Sequence, residues 1–161
     1  MLRLIKSLFS NDLYVRIWAN RLYVVCLTSD GHYDDEPYIA LENDSKERPI
    51  VKAIGISAKH MQGKDGYIVF NPFSHPRNLI ADFQAAEKIL MHAFRELHKN
   101  KWFAPSPRVV VQPMEKIEGG LTAIEERAFR ELCLGAGARE VYVHVGQELH
   151  VHNIDFQQLK K

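Results

Sequence analysis

Three groups of side chains in this sequence have types and spacings that could do chemistry. The first is His144, His150 and His152, and the last two would share one face of a strand, as paired metal ligands often do. Because no acidic or thiol ligand stands at a firm spacing beside them, we interpret them as surface histidines and predict no metal site. The second is Asp34–Glu36, which has the charge to hold a cation but better fits a solvated turn before Pro37.

Glu125 is the third candidate. It follows Thr122 by three residues, the spacing of a capping box in which each side chain bonds the other residue's backbone N–H at a helix start. The sequence contains no GxSxG, HExxH or P-loop pattern. We therefore predict no catalytic residue, no cofactor and no enzymatic activity.

The hairpin Leu13–Leu27 bears on nucleotide binding. Its turn, Trp18-Ala19-Asn20-Arg21, lacks a glycine, and its first strand carries Arg16 rather than a carboxylate. A phosphate needs close approach of the backbone, which glycine permits and a large side chain blocks. This turn therefore argues against nucleotide binding, and no nucleotide-binding residue is predicted.

Composition limits the classes of function further. The 161 residues suffice for one domain with its own core, and a net charge of +1 gives no overall field that would attract nucleic acid. Cys26 and Cys133 lie far apart without CxxC spacing, which predicts buried thiols in a reducing compartment. No apolar run reaches the length of a transmembrane helix.

The first ten residues form a separate amphipathic segment. Arg3, Lys6 and Ser7 lie mostly opposite an apolar set at roughly helical spacing, namely Leu2, Ile5, Leu8 and Phe9. One interpretation is a short basic helix that lies in a membrane interface, with these four apolar residues as the membrane contacts. The alternatives are a frayed start and a helix packed on its own domain.

Residues 11–161 read as one α/β domain with a mixed sheet and flanking helices. The apolar stripe of Ile80–Leu97 predicts the longest helix, and a second helix runs from Thr122 to Leu134, with Gly135 as its C-cap. The predicted strands and the one remaining short helix are Leu13–Ile17, Leu22–Leu27, Tyr38–Leu41, Ile50–Ile54, helix Ser57–Met61, Tyr67–Phe70, Arg108–Val111 and Glu140–Val145, with Glu148–Val151 as a hairpin partner of the last strand.

This order of elements resembles one lobe of an actin-like (ribonuclease H-like) fold, and several stretches closely resemble the bacterial actin MreB. The stretches are collinear from the start to about Val143: Phe9-Ser-Asn-Asp-Leu13, Lys59-His-Met-Gln-Gly63, Ile80-Ala-Asp-Phe83 with Glu87-Lys88, Pro105-Ser-Pro-Arg-Val109 and Gly135-Ala-Gly-Ala-Arg-Glu-Val141. Residues 1–9 are also similar to the membrane-binding start of MreB in some rod-shaped bacteria, which strengthens the membrane interpretation.

The departures from this family predict loss of its ATP site. An MreB is roughly twice this length, so the resemblance covers only the first lobe. The family's first strand carries an aspartate and then Leu-Gly-Thr, where Arg16 and Trp18 stand for the aspartate and the glycine here. Glu125 matches the glutamate that positions the attacking water in the family. The preceding loop, residues 112–120, looks longer than in MreB and offers a new contact surface.

The resemblance leads us to expect a non-catalytic, MreB-like module of the cell-shape machinery, cytoplasmic and peripheral at the inner membrane. Its expected partner is full-length MreB or a second copy of the chain, through the surfaces of Ile80–Leu97 and the helix from Thr122. The alternative is half of an actin-like ATPase or kinase site that a partner chain completes.

Overall fold

The computed structural model describes residues 11–42, 49–100 and 105–159. The amphipathic segment predicted for residues 1–10 lies outside the described residues. The elements are β1 (Leu13–Ile17), β2 (Leu22–Cys26), β3 (His32–Asp35), β4 (Ile39–Glu42), β5 (Ile50–Ile54), α1 (Ile56–Lys59), β6 (Tyr67–Phe70), α2 (Phe83–His98), β7 (Arg108–Pro113), α3 (Ala123–Gly135), β8 (Glu140–Val143) and a 3₁₀ helix, Val151–Asn153.

The main sheet has the strand order β3-β2-β1-β7-β8 and is mixed, as predicted. β1 pairs with β2 in antiparallel register and with β7 in parallel register, and β8 extends the sheet parallel to β7. The crossovers between the parallel strands contain α2 and α3, which is the usual way to connect parallel neighbours.

One face of this sheet forms the main core with α2 and α3. Alternation along β1 sends Leu13, Val15 and Ile17 to that face, where they are fully buried. The buried stripe of α2 includes Leu90 and Phe94. Both thiols, of Cys26 and Cys133, are buried in the same core, as predicted.

The opposite face of the sheet is covered by residues 144–159, which we call the strap. Tyr14 of β1, Val110 of β7 and Phe156 of the strap form a second, smaller buried cluster. The predicted strand Glu148–Val151 is wrong, because this stretch is irregular and enters the 3₁₀ helix at Val151. Leu149 and Val151 both pack on the second cluster, so a sheet face rather than a strand partner determines their conformation.

A second sheet has the order β5-β4-β6 and packs against the main core through Ile39 and Phe70. The predicted strand Tyr38–Leu41 therefore exists, as β4, but belongs to this sheet. The run Asp34–Glu36 was predicted as a solvated turn, and this is wrong for its first part: His32–Asp35 is the edge strand β3. Pairing with β2 and the Arg21–Asp34 ion pair hold β3 in place.

Side-chain hydrogen bonds determine where α2 begins and join α3 to the edge of the main sheet. α2 begins at Phe83 rather than Ile80, because the side chain of Asp82 caps it by accepting a hydrogen bond from Ala85 N over 2.9 Å. On α3, Arg130 Nη1 donates to Val141 O over 3.2 Å, at the edge strand β8.

No helix among the described residues combines the length and apolarity needed to cross a bilayer.

Candidate functional site

The candidate site lies where β1 and β7 end side by side. Met114 N donates to Ile17 O over 2.9 Å, which extends the parallel ladder by one residue beyond β7. The β1–β2 turn follows at once and is closed by a hydrogen bond from Trp18 N to Arg21 O over 2.9 Å. Loops 71–78 and 114–121 meet this turn, so three loops define the site.

Arginine and aromatic side chains fill the sheet face beside the turn. The guanidinium of Arg16 lies 4.4 Å from the ring centre of Tyr23 and 5.9 Å from that of Trp18. The guanidinium of Arg21 lies 5.1 Å from the Tyr23 ring and 5.4 Å from the Trp18 ring. Such cation–π contacts stabilise the stack, so the hairpin is packed with its own side chains.

The Ala19 residue of the turn has both its backbone polar groups engaged within the protein. Its N–H donates to the Glu115 carboxylate over 2.6 Å, and its carbonyl accepts from Asn71 Nδ2 over 2.7 Å. Lys116, next to Glu115, has a left-handed backbone with φ 57° and donates to His75 O. The loop after β7 and the loop after β6 therefore each bind the turn, and they also bind each other.

Ion pairs fix the charge of the site. Arg21 binds Asp34 through two hydrogen bonds of 2.7 and 2.6 Å, and this partner holds the pKa of Asp34 below its ordinary value. Arg16 pairs with Glu148 of the strap and is largely buried, with a side chain 16% exposed. Position 16 therefore presents a buried cation, the opposite charge to a metal-binding carboxylate.

Glu125 forms the predicted capping box. Its carboxylate accepts from Thr122 N and from Thr122 Oγ1, each over 2.8 Å, while Thr122 Oγ1 accepts from Glu125 N over 3.2 Å. These bonds, first that from the Thr122 backbone, lower the pKa of Glu125. The carboxylate is thus ionised and occupied by the start of α3.

An apolar cleft of about 210 Å³ adjoins Glu125. Its apolar lining includes Ile80, Leu121, Phe129 and Ile124, and Ile124 is 81% exposed. An exposed large apolar side chain indicates a binding surface when it is continuous with other exposed apolar surface. This part of α3 is a candidate contact surface.

The histidines lie where surface residues are expected. His150 and His152 are exposed, and the His144 ring bonds Gln147 O over 2.9 Å. The described residues contain no group of three or more His, Cys, Asp or Glu side chains arranged to hold a metal ion. The predicted membrane contacts Leu2, Ile5, Leu8 and Phe9 lie outside the described residues.

Sequence reasoning missed two residues of this site. Glu115 was noted only as part of a long loop, and Glu148 only as the start of a strand. The sequence offered one signal for these two residues, namely the arginine at position 16 where the family motif has an aspartate. A cation at that position calls for an anion nearby.

Comparison with known proteins identifies the relatives of this chain. The family model for MreB/Mbl protein matches residues 20–150. The cell shape-determining protein MreB of Escherichia coli K12 is 37% identical over 146 residues, which are 89% of this chain and 40% of that protein. The chain therefore spans well under half the length of this relative.

Solved structures show the same fold. MreB5 of Spiroplasma citri bound to ADP superposes with a TM-score of 0.61 at 20% identity, over 83% of this chain and 38% of that one. A non-polymerising mutant of MamK bound to AMPPNP gives a TM-score of 0.58 at 13% identity, over 84% of this chain and 41% of that one. Both cover a single lobe, which confirms the predicted fold class. The chain belongs to the MreB/Mbl family and has the fold of one actin-like lobe.

Proposed function

We propose that this chain is a non-catalytic member of its family that acts by binding another protein of the cell-shape machinery. The observation that carries the proposal is the pairing of Arg16 with Glu148 at the end of β1. The family resemblance places a carboxylate at this position to hold the water around a metal. A buried arginine there repels a cation, and charge interactions are strong where water is excluded.

Two further features support the absence of nucleotide chemistry. The Trp18 ring occupies the turn where the family has glycine, and Glu115 already accepts the N–H of Ala19. A phosphate that approached this N–H would meet a carboxylate of the same charge. Both features reduce affinity for any phosphate at this turn.

The proposed partner is full-length MreB or a second copy of this chain. One structural neighbour is a non-polymerising mutant of MamK. A lobe of the same fold has surfaces through which it could join a polymer. On the present chain, the exposed Ile124 and the cleft beside it offer an apolar contact on α3.

We further propose that the chain works in the cytoplasm at the inner face of the membrane. The support is the sequence of residues 1–10, in which Leu2, Ile5, Leu8 and Phe9 would insert into the interface while Arg3 and Lys6 face anionic headgroups. Membrane attachment would bring the lobe close to filaments that bind the same surface.

Co-sedimentation with full-length MreB tests the proposed function. We expect the wild-type chain to pellet with polymerised MreB and Ile124→Glu to remain in the supernatant. Ile68→Glu is the matched control, since Ile68 is also exposed, at 51%, but lies on β6 of the second sheet. Failure of the wild-type chain both to pellet with MreB and to associate with itself would refute the proposal.

The alternative, half of an ATPase or kinase site completed by a partner chain, has one observation in its favour. Glu125 is retained at the position that the resemblance assigns to water activation. Its carboxylate is engaged by Thr122, as any capping glutamate would be, so this observation is equally explained by helix stability. Titration with Mg-ATP separates the two functions.

A further inference from the structure

The strap, residues 144–159, covers a sheet face by means of contacts that differ from those of the main core. Its apolar contacts form the separate cluster of Tyr14, Val110 and Phe156. The Phe156 ring packs edge-on against Tyr142, with centroids 5.6 Å apart, and lies 4.3 Å from the guanidinium of Arg108. The strap is therefore a peptide seated on a groove of aromatic and cationic side chains.

Polar contacts fix the register of the strap. Gln112 Nε2 donates to Gly146 O over 2.9 Å, and Leu149 N donates to Tyr14 Oη over 3.2 Å. Tyr14 Oη donates in turn to Gln112 Oε1. These two buried side chains thus form one hydrogen-bond network that binds the strap at Gly146 and at Leu149. Burial raises the pKa of Tyr14, which keeps the phenol protonated as a donor.

The Arg16–Glu148 ion pair is the charged contact between the groove and the strap. Glu148 is 47% exposed, whereas Arg16 is largely buried under the strap and the Tyr23 ring. The same residue that stands for the family's aspartate thus receives the strap. A carboxylate at position 16 would instead repel Glu148.

The attachment of the strap permits local opening. Across residues 144–159, all of them described, the strap has no strand in the sheet, and its only regular element is the 3₁₀ helix. Val145 and Gly146 at its start are exposed, and Gly146 has φ 127°, a backbone conformation that glycine adopts without steric cost. His144 N donates to Val111 O over 2.9 Å, and beyond this bond the strap contacts the sheet through a small separate cluster and side-chain hydrogen bonds. Segments held in this way open at lower free energy than the core.

We infer that the strap is a releasable latch, anchored by Arg16, on a groove that binds a segment with a glutamate and, eight positions later, an aromatic residue. The strap occupies this groove within its own chain, through Glu148 and Phe156. Release uncovers Tyr14, Val110 and Tyr142, and a second copy's strap has the same chemistry to occupy them. This inference is independent of whether the chain binds MreB.

Hydrogen exchange of the Leu149 amide tests the latch in the full chain. Arg16→Glu and Glu148→Arg should each speed its exchange about tenfold, because a repulsion replaces an attraction, and the double variant should return close to the wild-type rate. Arg21→Glu is the control, since it breaks the Arg21–Asp34 pair on the same face without touching the strap. Unchanged rates in the single variants, or no recovery in the double variant, would overturn the inference.

The Glu148→Gln variant distinguishes local opening of the strap from general unfolding. Glu148 is half exposed, so we expect its neutralisation to leave the sheet intact. We expect faster exchange at Leu149 with no change at Val110 and Val111, whose amides report on the main sheet. Faster exchange at all three amides would show global destabilisation and would count against a local latch.

A labelled peptide of residues 146–159 tests the groove. It should bind the full chain carrying Glu148→Arg and Phe156→Ala, whose own strap is weakened, about tenfold more tightly than the wild-type chain, because the competing segment is displaced. Adding Arg16→Glu to that variant should abolish the gain. Equal binding to all three chains would refute a groove with this specificity.

Discussion

The carboxylate of Glu115 accepts a hydrogen bond from the backbone N–H of Ala19 over 2.6 Å, across 96 positions of sequence. This contact joins the loop after β7 to the β1–β2 turn, the two loops at the shared end of adjacent parallel strands. A carboxylate of the same chain thus accepts the backbone N–H of this turn. The backbone groups of the turn are thus bonded to side chains of the same protein.

Removal of this anion should weaken the fold modestly. Glu115→Ala leaves the Ala19 N–H to water and should lower the free energy of unfolding by about 1.5 kcal/mol, the lower end of the usual net range for a hydrogen bond to a charged group. Urea denaturation measures the change. Glu118→Ala, an exposed carboxylate of the same loop, is the control and should change stability by less than about 0.5 kcal/mol.

Nucleotide binding should require several changes at once. Isothermal titration with Mg-ATP should give no binding heat for the wild-type chain or for Arg16→Asp, since Trp18 and Glu115 still occupy the turn. Combining Arg16→Asp, Trp18→Gly and Glu115→Ala should give the strongest signal of the set. Binding by the wild-type chain, alone or mixed with a partner chain, would favour the half-site alternative.

The capping box should contribute stability that depends on pH. Thr122→Ala should cost about 1 kcal/mol at pH 7. Because the pKa of Glu125 is lowered in the folded state, its contribution is present above its unfolded pKa, about 4.3, and is lost as the pH falls through the folded value. The gap between wild type and variant should therefore shrink below about pH 4.

Urea midpoints between pH 3 and pH 7 measure this gap. Thr122→Ser keeps the hydroxyl and should retain most of the stability, which separates capping from loss of the methyl group. A gap that stays constant down to pH 3 would contradict the role assigned to Glu125.

Gly55 should be the least replaceable glycine of those before β6. Its φ is 78°, and an added Cβ would lie 1.9 Å from Asp35 Oδ2, while Asp35 accepts the Ile56 N–H at the start of α1 over 2.9 Å. Gly55→Ala should cost about 2 to 3 kcal/mol, from strain and from displacement of this carboxylate. Gly63→Ala, with φ 79° and open space, should show the strain alone, about 1 kcal/mol, by thermal denaturation.

Membrane attachment should depend on the apolar side of residues 1–10. Leu8→Glu should sharply reduce co-sedimentation with vesicles that contain anionic lipid, because binding scales with buried apolar area. Ser7→Glu is the control for added charge, since the sequence pattern predicts Ser7 on the polar side. Equal vesicle binding by the wild-type chain and Leu8→Glu would refute the anchor.

Sequence patterns predicted the elements that have strong periodicity. The stripe of α2, the capping box of α3 and the apolar β7 were all identified, because the spacing of each element's own residues indicates which of them are buried. β3 was missed because His32-Tyr-Asp-Asp35 has no apolar alternation: it is a strand only because β2 and Arg21 hold it. The strand conformation of β3 therefore depends on residues outside β3.

The candidate site divides in the same way. The residues that replace the family's aspartate and glycine, Arg16 and Trp18, could be read from the aligned motifs. Their partners Glu115 and Glu148 could not, because irregular loops carry no period and their contacts depend on the folded geometry. Prediction therefore found the residues that depart from the family motif and missed the residues that bind them in the fold.

The hydrogen bond from Arg130 to the Val141 carbonyl has a consequence for behaviour at high concentration. β8 is an edge strand of four residues, and edge carbonyls are where strands of neighbouring molecules add. A guanidinium held on one of them by α3 competes with such addition. Arg130→Ala should therefore aggregate sooner on gentle warming, even though the folded lobe is unchanged.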